Sequence, residues 1–172
     1  GSAVGGLSSD SDGNTIGGTN AGDSITTGTN NTAIGKDAGT ATTGGSQNVA
    51  LGAFALDANT TASDNTAIGY NSIGDNTTGV NNTAVGSGSL LKNTTAHNNT
   101  AIGANSLNQN TTGTQNVAVG SNSLDANTTG GDNNAFGENA LGANTTASDN
   151  NAFGRLALSA NTTGTCLLYT SD

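Results

Sequence analysis

The side chains that could do chemistry in this sequence are few and lie far apart along the chain. His97 is the only histidine and Cys166 the only cysteine. A general base needs a positioned partner, and a zinc site combines three or four Cys, His or carboxylate ligands. His97 is therefore interpreted as a surface residue. No disulfide can form within the chain, and the sequence predicts no metal and no cofactor.

Carboxylates recur in one column of the sequence, but too irregularly for a catalytic pair. Asp64, Asp132 and Asp149 are separated by multiples of 17 residues, and we interpret them as solubilising turn residues. The segment DSDGN, Asp10–Asn14, resembles the opening of a calcium loop but lacks the downstream Glu of an EF-hand. Phosphate-loop and nucleophile-elbow motifs are also missing. The sequence therefore predicts a protein that is not an enzyme.

The composition excludes several classes of partner. Among 172 residues only three are basic, and the formal net charge is −9, so no nucleic-acid footprint is expected. No apolar run approaches the roughly 20 residues of a membrane span, and we predict no membrane insertion by this segment. Hydrophobic residues make up 31% and charged residues 9% of the chain, whereas globular domains have roughly 45–50% and 25%. Small polar side chains of this kind favour stacked ladders over a large packed core.

A 17-residue repeat organises the chain, with the consensus N-T-A-I-G-x-N-S-L-x-x-N-T-T-G-x-x. Positions are numbered from the first Asn of this unit. That Asn recurs without insertion at nine places, namely Asn14, Asn31, Asn48, Asn65, Asn82, Asn99, Asn116, Asn133 and Asn150. The second Asn, at position 12, keeps the same spacing from Asn59 to Asn161. Each N-T-T phrase also matches a glycosylation acceptor, but the repeat itself explains the match.

The constrained columns of the repeat predict which side chains form the core. Position 3 is Ala and position 5 is Gly in consecutive units, whereas positions 6, 10, 11 and 16 vary. We predict that the large apolar residues of positions 4 and 9 form a core ladder. Its members at position 4 are Ile34, Leu51, Ile68, Val85, Ile102, Val119, Phe136 and Phe153. Its members at position 9 are Leu56, Ile73, Leu90, Leu107, Leu124, Leu141 and Leu158.

Short segments broken by Gly and Asn predict an all-β fold, because each unit is too short for two helices and a turn. One unit becomes one coil of a parallel β-solenoid, or β-roll, with about nine coils of 17 residues. Stacked coils bring like residues together, and Asn side chains can then bond along their own column. The predicted Asn ladder comprises Asn31, Asn48, Asn65, Asn82, Asn99, Asn116, Asn133 and Asn150.

The chain divides into three parts. Residues 1–13 form a divergent flank or cap, and residues 14–165 form the repeat. The first unit is degenerate, with Gly17 where an aliphatic residue belongs. The tail 166–172, CLLYTSD, matches nothing before it and is assigned no function. Because one thin coil buries little apolar surface, we predict that several chains, most plausibly three, share a common apolar axis. A monomeric solenoid is the alternative.

The NTAIGxNSL phrase resembles the head repeats of trimeric autotransporter adhesins of the YadA-like type, and equally the Asn/Thr/Gly repeats of bacteriophage tail fibres. The resemblance covers about residues 14–165. It implies a left-handed, trimeric parallel β-roll with the aliphatic–Gly pairs at the interior. It also implies an extracellular location, on a cell surface or virion, and attachment to a host-surface receptor or glycan. The expected function is a structural and binding rod.

Two other functions fit the same repeat. An ice-binding solenoid would use the first Thr of each N-T-T phrase, although adjacent Thr residues on a strand would point to opposite sides. That column comprises Thr60, Thr77, Thr94, Thr111, Thr128, Thr145 and Thr162. A self-assembling fibril protein would instead stack coils end to end through uncapped edges. Thermal hysteresis would identify the first, and concentration-dependent filaments the second.

Overall fold

The computed structural model describes residues 6–170, so expectations for residues 1–5 and 171–172 lie outside the described part. The described chain forms one 11-stranded sheet in which sequence order equals spatial order. Strand β1 pairs with β2 in the antiparallel sense, and all later neighbours pair in parallel, in register 17 residues apart. This confirms the predicted all-β solenoid of about nine 17-residue coils, which at roughly 4.8 Å per coil is about 43 Å long.

The strands are short, and their bounds recur with the repeat. They are β1 Ser8–Ser9, β2 Thr15–Gly17, β3 Thr32–Ile34, β4 Val49–Leu51, β5 Thr66–Ile68, β6 Thr83–Val85, β7 Thr100–Ile102, β8 Val117–Val119, β9 Asn134–Phe136, β10 Asn151–Phe153 and β11 Leu168–Thr170. In β3–β10 each strand occupies positions 2–4, between the Asn of position 1 and the Gly of position 5. Turns and bends make up the rest of each coil.

The position 4 residues do not line the interior of the coil, and this part of the predicted core ladder is wrong. Side chains of a strand alternate between its two faces, and the buried Ala of position 3 takes the inward place. The position 4 side chains therefore point outward: Leu51 is 42% and Phe153 40% exposed. Across the column, Leu51, Ile102, Phe136 and Phe153 are exposed, and Ile34, Ile68, Val85 and Val119 are half-buried.

The position 9 residues do fill the interior. Six of them, Leu56, Ile73, Leu90, Leu107, Leu124 and Leu141, have no exposed surface, and Leu158 is partly buried against the same cluster. They pack with the Ala residues of position 3, so each coil has a thin core of one large and a few small side chains. Each of the seven also has a left-handed backbone, with φ between 49° and 54°.

That left-handed conformation predicts an effect of side-chain branching at position 9. Ile73 has φ of 49° and is the only β-branched residue in this column, and positive φ is especially unfavourable for β-branched residues. Ile73→Leu is expected to stabilise the fold by about 1 kcal/mol, since the volume is unchanged. The reverse change, Leu90→Ile, should destabilise it by a similar amount. Thermal unfolding of the two variants measures both, and equal midpoints would contradict the prediction.

The Asn residues of position 1 form a continuous buried ladder. The Oδ1 atom of Asn65 accepts hydrogen bonds from the backbone N–H of Asn82 at 3.0 Å and from its side-chain amide at 3.2 Å. The Asn82 amide also donates to the carbonyl of Ala96, at 2.9 Å. The same pattern of bonds recurs along the column from Asn14 to Asn150. Each Asn thus joins two coils and one turn.

A second Asn ladder, at position 12, was not predicted as such. The Asn76 amide donates to Oδ1 of Asn59 at 3.1 Å and to the carbonyl of Gly79 at 3.0 Å. Asn93, Asn110, Asn127 and Asn144 continue this ladder, all fully buried. The even spacing of the N-T-T phrases was the signal that could have found it.

The described part of the C-terminal tail continues the backbone pairing of the coil. Leu167 stands where the repeat has Asn, and its N–H donates to Oδ1 of Asn150 at 3.1 Å. Strand β11 pairs in register with β10, so that Tyr169 lies beside Ala152. The side chains do not follow the repeat, because Tyr169 is 49% exposed where Ala152 is buried.

Candidate functional site

His97, the one histidine, holds two coils together. Its Nδ1 atom accepts a hydrogen bond of 3.0 Å from the backbone N–H of Val80, one coil earlier. The hydroxyl of Ser63 does the same for the N–H of Ser46, also at 3.0 Å. Both acceptors occupy position 16, and His97 is half-buried rather than a free surface residue. The ring therefore replaces a serine in a structural bond and is oriented by it.

The carboxylates do not converge on a site. Asp64, Asp132 and Asp149 are exposed at position 17, where φ lies between 56° and 62°, a conformation that Asp tolerates better than most residues. Asp10 accepts bonds from the N–H groups of Asp12 and Asn14. Within residues 6–170, no three His, Cys, Asp or Glu side chains lie close enough to share a metal ion.

Six of the seven N-T-T acceptor asparagines, from Asn59 to Asn144, are fully buried in the folded chain, and Asn161 is half-buried. The side chain of Asn76 is fully buried, and its amide nitrogen already donates to Asn59 and Gly79. Its Oδ1 accepts bonds from Gly79 and Asn93. Attachment of a sugar to this nitrogen would break the ladder, so the matches to an acceptor motif arise from the repeat.

The main exposed feature is the surface formed by the outward side chains of strands β2–β10, where an apolar column at position 4 runs beside a column of mostly Thr and Asn at position 2. We call it the sheet face. Position 2 contributes Thr15, Thr32, Val49, Thr66, Thr83, Thr100, Val117, Asn134 and Asn151, and position 4 contributes Gly17 and the eight large apolar residues from Ile34 to Phe153. No charged side chain occurs in either column. The rings of Phe136 and Phe153 stack at 5.0 Å with an interplanar angle of 5°.

An aromatic group extends this face at one flank. Phe54 and Tyr70, from successive coils, meet edge to face with centroids 5.9 Å apart, and the Lys36 ammonium lies 5.0 Å from the Phe54 ring. Tyr70 is 57% exposed. These residues come from positions 6 and 7, where the repeat otherwise has mostly small or polar side chains. Positions 6 and 7 thus place two aromatic rings and one ammonium group beside the sheet face.

A polar surface of paired Thr residues lies on the bends. The expectation that the two Thr of each phrase point to opposite sides is wrong, because positions 13 and 14 form a bend rather than a strand. Thr60, Thr61, Thr77 and Thr78 are all exposed. The hydroxyl of the first Thr donates to the carbonyl of the corresponding Thr one coil later, as from Thr77 to Thr94 at 3.0 Å.

No family model, curated protein or solved structure matches the chain. The fold and its surfaces are therefore the observations on which a function can rest. Among the described residues there is no helix with the length and apolarity needed to cross a membrane.

Charged pairs on the surface link neighbouring coils. Lys92 bonds to Asp75 at 2.8 Å and Arg155 to Glu138 at 3.1 Å, each across one 17-residue step. All four side chains are 45% or more exposed, and exposed ion pairs contribute little to stability. They lie in two different columns, position 11 for Lys92 and Asp75 and position 6 for Arg155 and Glu138.

Two carboxylates at position 10, those of Asp57 and Asp125, are partly buried, which disfavours their charged form. Partial burial raises the pKa of Asp57 and of Asp125, and backbone hydrogen bonds only partly offset this effect. A folded-state pKa above the unfolded value means that ionisation opposes folding. The protonated carboxyl therefore adds to the free energy of unfolding. This contribution is fully present below the pKa of the unfolded state and is lost as the pH rises through the pKa of the folded state.

Asp125→Asn is therefore expected to raise the free energy of unfolding at pH 7, by less than about 1 kcal/mol because the group is partly exposed. The gain should disappear in acid below the ordinary Asp pKa, where the carboxyl of the unaltered protein is protonated in both states. Urea unfolding at the two pH values measures this difference. Asp132→Asn, at an exposed turn, is the matched control, and an equal gain there would contradict the argument.

Proposed function

We propose that this chain is a non-catalytic structural and binding rod of an extracellular adhesin or tail-fibre type, in which copies associate through the sheet face. The observation that carries the proposal is the continuous apolar stripe on an otherwise polar protein. Eight consecutive coils expose or half-expose a large apolar residue there, which spans roughly 34 Å at the coil spacing. Soluble monomers rarely leave so contiguous an apolar surface in water.

The composition of the sheet face supports association between copies of the same chain. It has no charged side chain to desolvate, and its two columns repeat with the same spacing as the backbone. When copies align in parallel, each coil meets its own counterpart, so Ile102 meets Ile102 and the Phe136–Phe153 pair meets its equivalent. Burial of such side chains contributes about 25 cal/mol per Å² of apolar surface.

Three chains fit this surface best. With three copies around one axis, each sheet face is covered by the other two, and the position 4 columns meet at the centre. The coil itself has only one large buried side chain at position 9, so a second apolar layer between chains strengthens a fold with little core of its own. The resemblance to adhesin heads and tail fibres leads to the same number.

The variable columns are then free for attachment. Positions 6, 10, 11 and 16 carry most of the sequence differences between coils, while the ladders and sheet face are held constant by the fold. Contact with a host-surface receptor or glycan would come from these columns, with reach and stiffness supplied by the stacked coils. A glycan array probed with the labelled rod tests this part, and uniform lack of binding would count against a glycan receptor.

The assembly is tested by measuring the mass in solution. We expect three chains by light scattering at micromolar concentration, and a smaller mass for Ile102→Glu, which places a charge on the sheet face. Gln109→Glu is the matched control, since Gln109 is exposed in the same coil but lies at position 11, outside the sheet face and its aromatic flank, and it should keep the mass of three chains. A monodisperse monomer would contradict association, and a mass of two chains would contradict the three-fold arrangement.

Ice binding is a second candidate, supported by the paired Thr columns. The second Thr of each phrase is exposed on the bend at intervals of one coil, and the first is exposed in four phrases and half-buried at Thr94, Thr111 and Thr128, which gives a repeated surface of methyl and hydroxyl groups. Thermal hysteresis of the purified protein, abolished by Thr112→Tyr in the middle of the columns, would support this function. Its absence in the unaltered protein would remove the candidate without affecting the rod.

A further inference from the structure

The first coil, which begins at Asn14, has no earlier repeat unit before it to accept its hydrogen bonds, and residues of the preceding segment accept them instead. In the interior, the position 1 Asn donates its backbone N–H and, in every coil except that of Asn65, also its amide to Oδ1 of the Asn one coil earlier. Asn14 donates the same two groups to the carboxylate of Asp10, at 2.8 Å to Oδ1 and 2.9 Å to Oδ2. A carboxylate four residues away thus substitutes for the Asn of an earlier coil.

The carboxylate of Asp10 is a good acceptor for the hydrogen bonds of the first coil. Asp10 also accepts a bond of 3.0 Å from the N–H of Asp12, so one side chain satisfies three donors. The side-chain and backbone hydrogen bonds from Asn14 lower the pKa of Asp10. The group is therefore fully ionised at neutral pH, when it accepts bonds most strongly.

Leu7 and Gly17 form a second element of this end. Gly17 is the only Gly in the position 4 column, and a Cβ there would lie 2.7 Å from Cδ2 of Leu7. The Leu7 side chain thus covers the place that an outward aliphatic residue has in later coils. Gly17, which looks degenerate in the sequence, is what admits it.

The interior of the first coil lacks the large position 9 side chain, and two isoleucines fill that space. Position 9 is Gly22 instead of Leu, and a Cβ there would lie 2.6 Å from Cδ1 of Ile16 and 3.1 Å from Cδ1 of Ile25. Ile16 stands at position 3, which is Ala in all later coils, and Ile25 at position 12, which is Thr in the second coil and Asn in the others. Two isoleucines therefore fill the space of the missing leucine.

Strand β1 completes the arrangement by occupying the backbone edge. It pairs antiparallel with β2, Ser8 beside Ile16 and Ser9 beside Thr15, whereas every later strand has parallel neighbours. An open strand edge of a parallel repeat is a template for another copy of the same repeat. In this chain the edge of β2 is already paired, in the sense opposite to that of the ladder.

We propose that residues 7–14 are an edge cap, which prevents an edge strand of a second copy of the chain from pairing with β2. The cap occupies the three features that such a strand would need: the backbone edge of β2, the donors of Asn14 and the outward surface at Gly17. It acts on end-to-end growth, which is independent of association through the sheet face. The rod is thereby kept from extending into a fibril at this edge.

The test compares Asp10→Ala with Asp12→Ala, which removes the same charge from the same loop. Asp12 is exposed. The backbone of the loop at Asp12 is held by other hydrogen bonds, such as that from the N–H of Asn30 to the Asp12 carbonyl. Hydrogen exchange at Asn14 reports on the cap, and exchange at Asn82, in the middle of the rod, reports on the rest of the fold. Sedimentation velocity over a range of concentrations reports on association.

For Asp10→Ala we expect exchange at Asn14 to accelerate at least tenfold, with exchange at Asn82 unchanged. The sedimentation coefficient should then grow with concentration without reaching a plateau, while Asp12→Ala behaves as the unaltered protein. Asp10→Asn keeps one acceptor oxygen, as in the interior ladder, but loses the second, so exchange at Asn14 should lie between that of Asp10→Ala and that of the unaltered protein. End-to-end growth is open-ended, so it is distinguishable from the closed assembly of the sheet face.

Three results would overturn the proposal. Unchanged exchange at Asn14 would mean that Asp10 does not hold the cap. Faster exchange without added association would mean that the cap does not block a second copy. An equal effect of Asp12→Ala, or loss of protection at Asn82 as well, would assign the effect to loop charge or to overall stability.

Discussion

Gly86→Ala is expected to destabilise the protein by about 3–5 kcal/mol, from backbone strain together with overpacking. Gly86 has φ of 135°, a region that side chains rarely enter. A Cβ there would lie 2.5 Å from the carbonyl oxygen of Gly103 and 2.6 Å from its carbon. Neither atom can move away easily, because the N–H of Gly103 is bonded to the carbonyl of Val85 at 2.8 Å.

Gly44→Ala is the matched control for this substitution. Gly44 lacks the positive φ, and the only atom near its added Cβ is the Thr27 hydroxyl at 3.3 Å, which belongs to a mobile side chain. Replacement of such a glycine reduces the freedom of the unfolded chain and is expected to stabilise by less than about 1 kcal/mol. Urea unfolding followed by circular dichroism compares the two variants. Similar midpoints would show that the coil spacing can widen at position 5.

Asn82→Ala is the second substitution with a large expected effect, also about 3–5 kcal/mol, because it removes several buried bonds and leaves a donor without a partner. Oδ1 of Asn82 accepts the N–H of Asn99 at 3.0 Å and its amide at 3.3 Å. The Asn82 amide donates to Asn65 and Ala96. Since Asn82 is fully buried, water cannot replace these partners without opening the coil.

The isosteric change Asn82→Asp separates shape from hydrogen bonding. It keeps the acceptor for Asn99 but removes the donor, and it buries a charge that has no cationic partner. It should be strongly destabilising at pH 7 and less so in acid, where protonation restores one donor. Asn81→Gly is the control, because Asn81 is exposed with φ of 58° and Gly accepts that conformation. A loss from Asn81→Gly as large as from Asn82→Ala would contradict the ladder argument.

The repeat made the fold predictable. Strict 17-residue spacing of Asn and Gly indicates stacked coils because backbone pairing in register requires equal coil lengths, and the structure shows that pairing from β2 to β11. The position 9 aliphatic residues and the position 1 asparagines were also identifiable, since a column that keeps one kind of side chain over seven or more units indicates a fixed environment. Their burial follows from their place in each coil.

The apolar character of the position 4 residues did not reveal whether their side chains point into the coil or out of it. A large aliphatic residue next to Gly fits a core as well as an interface between chains, and only the alternation of a three-residue strand assigns Ala67 inward and Ile68 outward. The paired Thr residues were misjudged for a related reason. Whether neighbours in sequence point the same way depends on whether the backbone is a strand or a bend.

The sequence by itself determined the period, the strand–turn alternation and the two Asn columns, with Asn in all nine units at position 1 and in seven at position 12, because these depend on local chemistry repeated at equal intervals. The tertiary structure alone decided which apolar column is buried, since direction depends on the path of the backbone around the coil. It also decided that the irregular first coil is a built end, in which Asp10 takes the acceptor role of an Asn one coil earlier, while Leu7 and Ile25 occupy space left beside Gly17 and Gly22. Those residues come from different places in the chain, so no repeat reveals them.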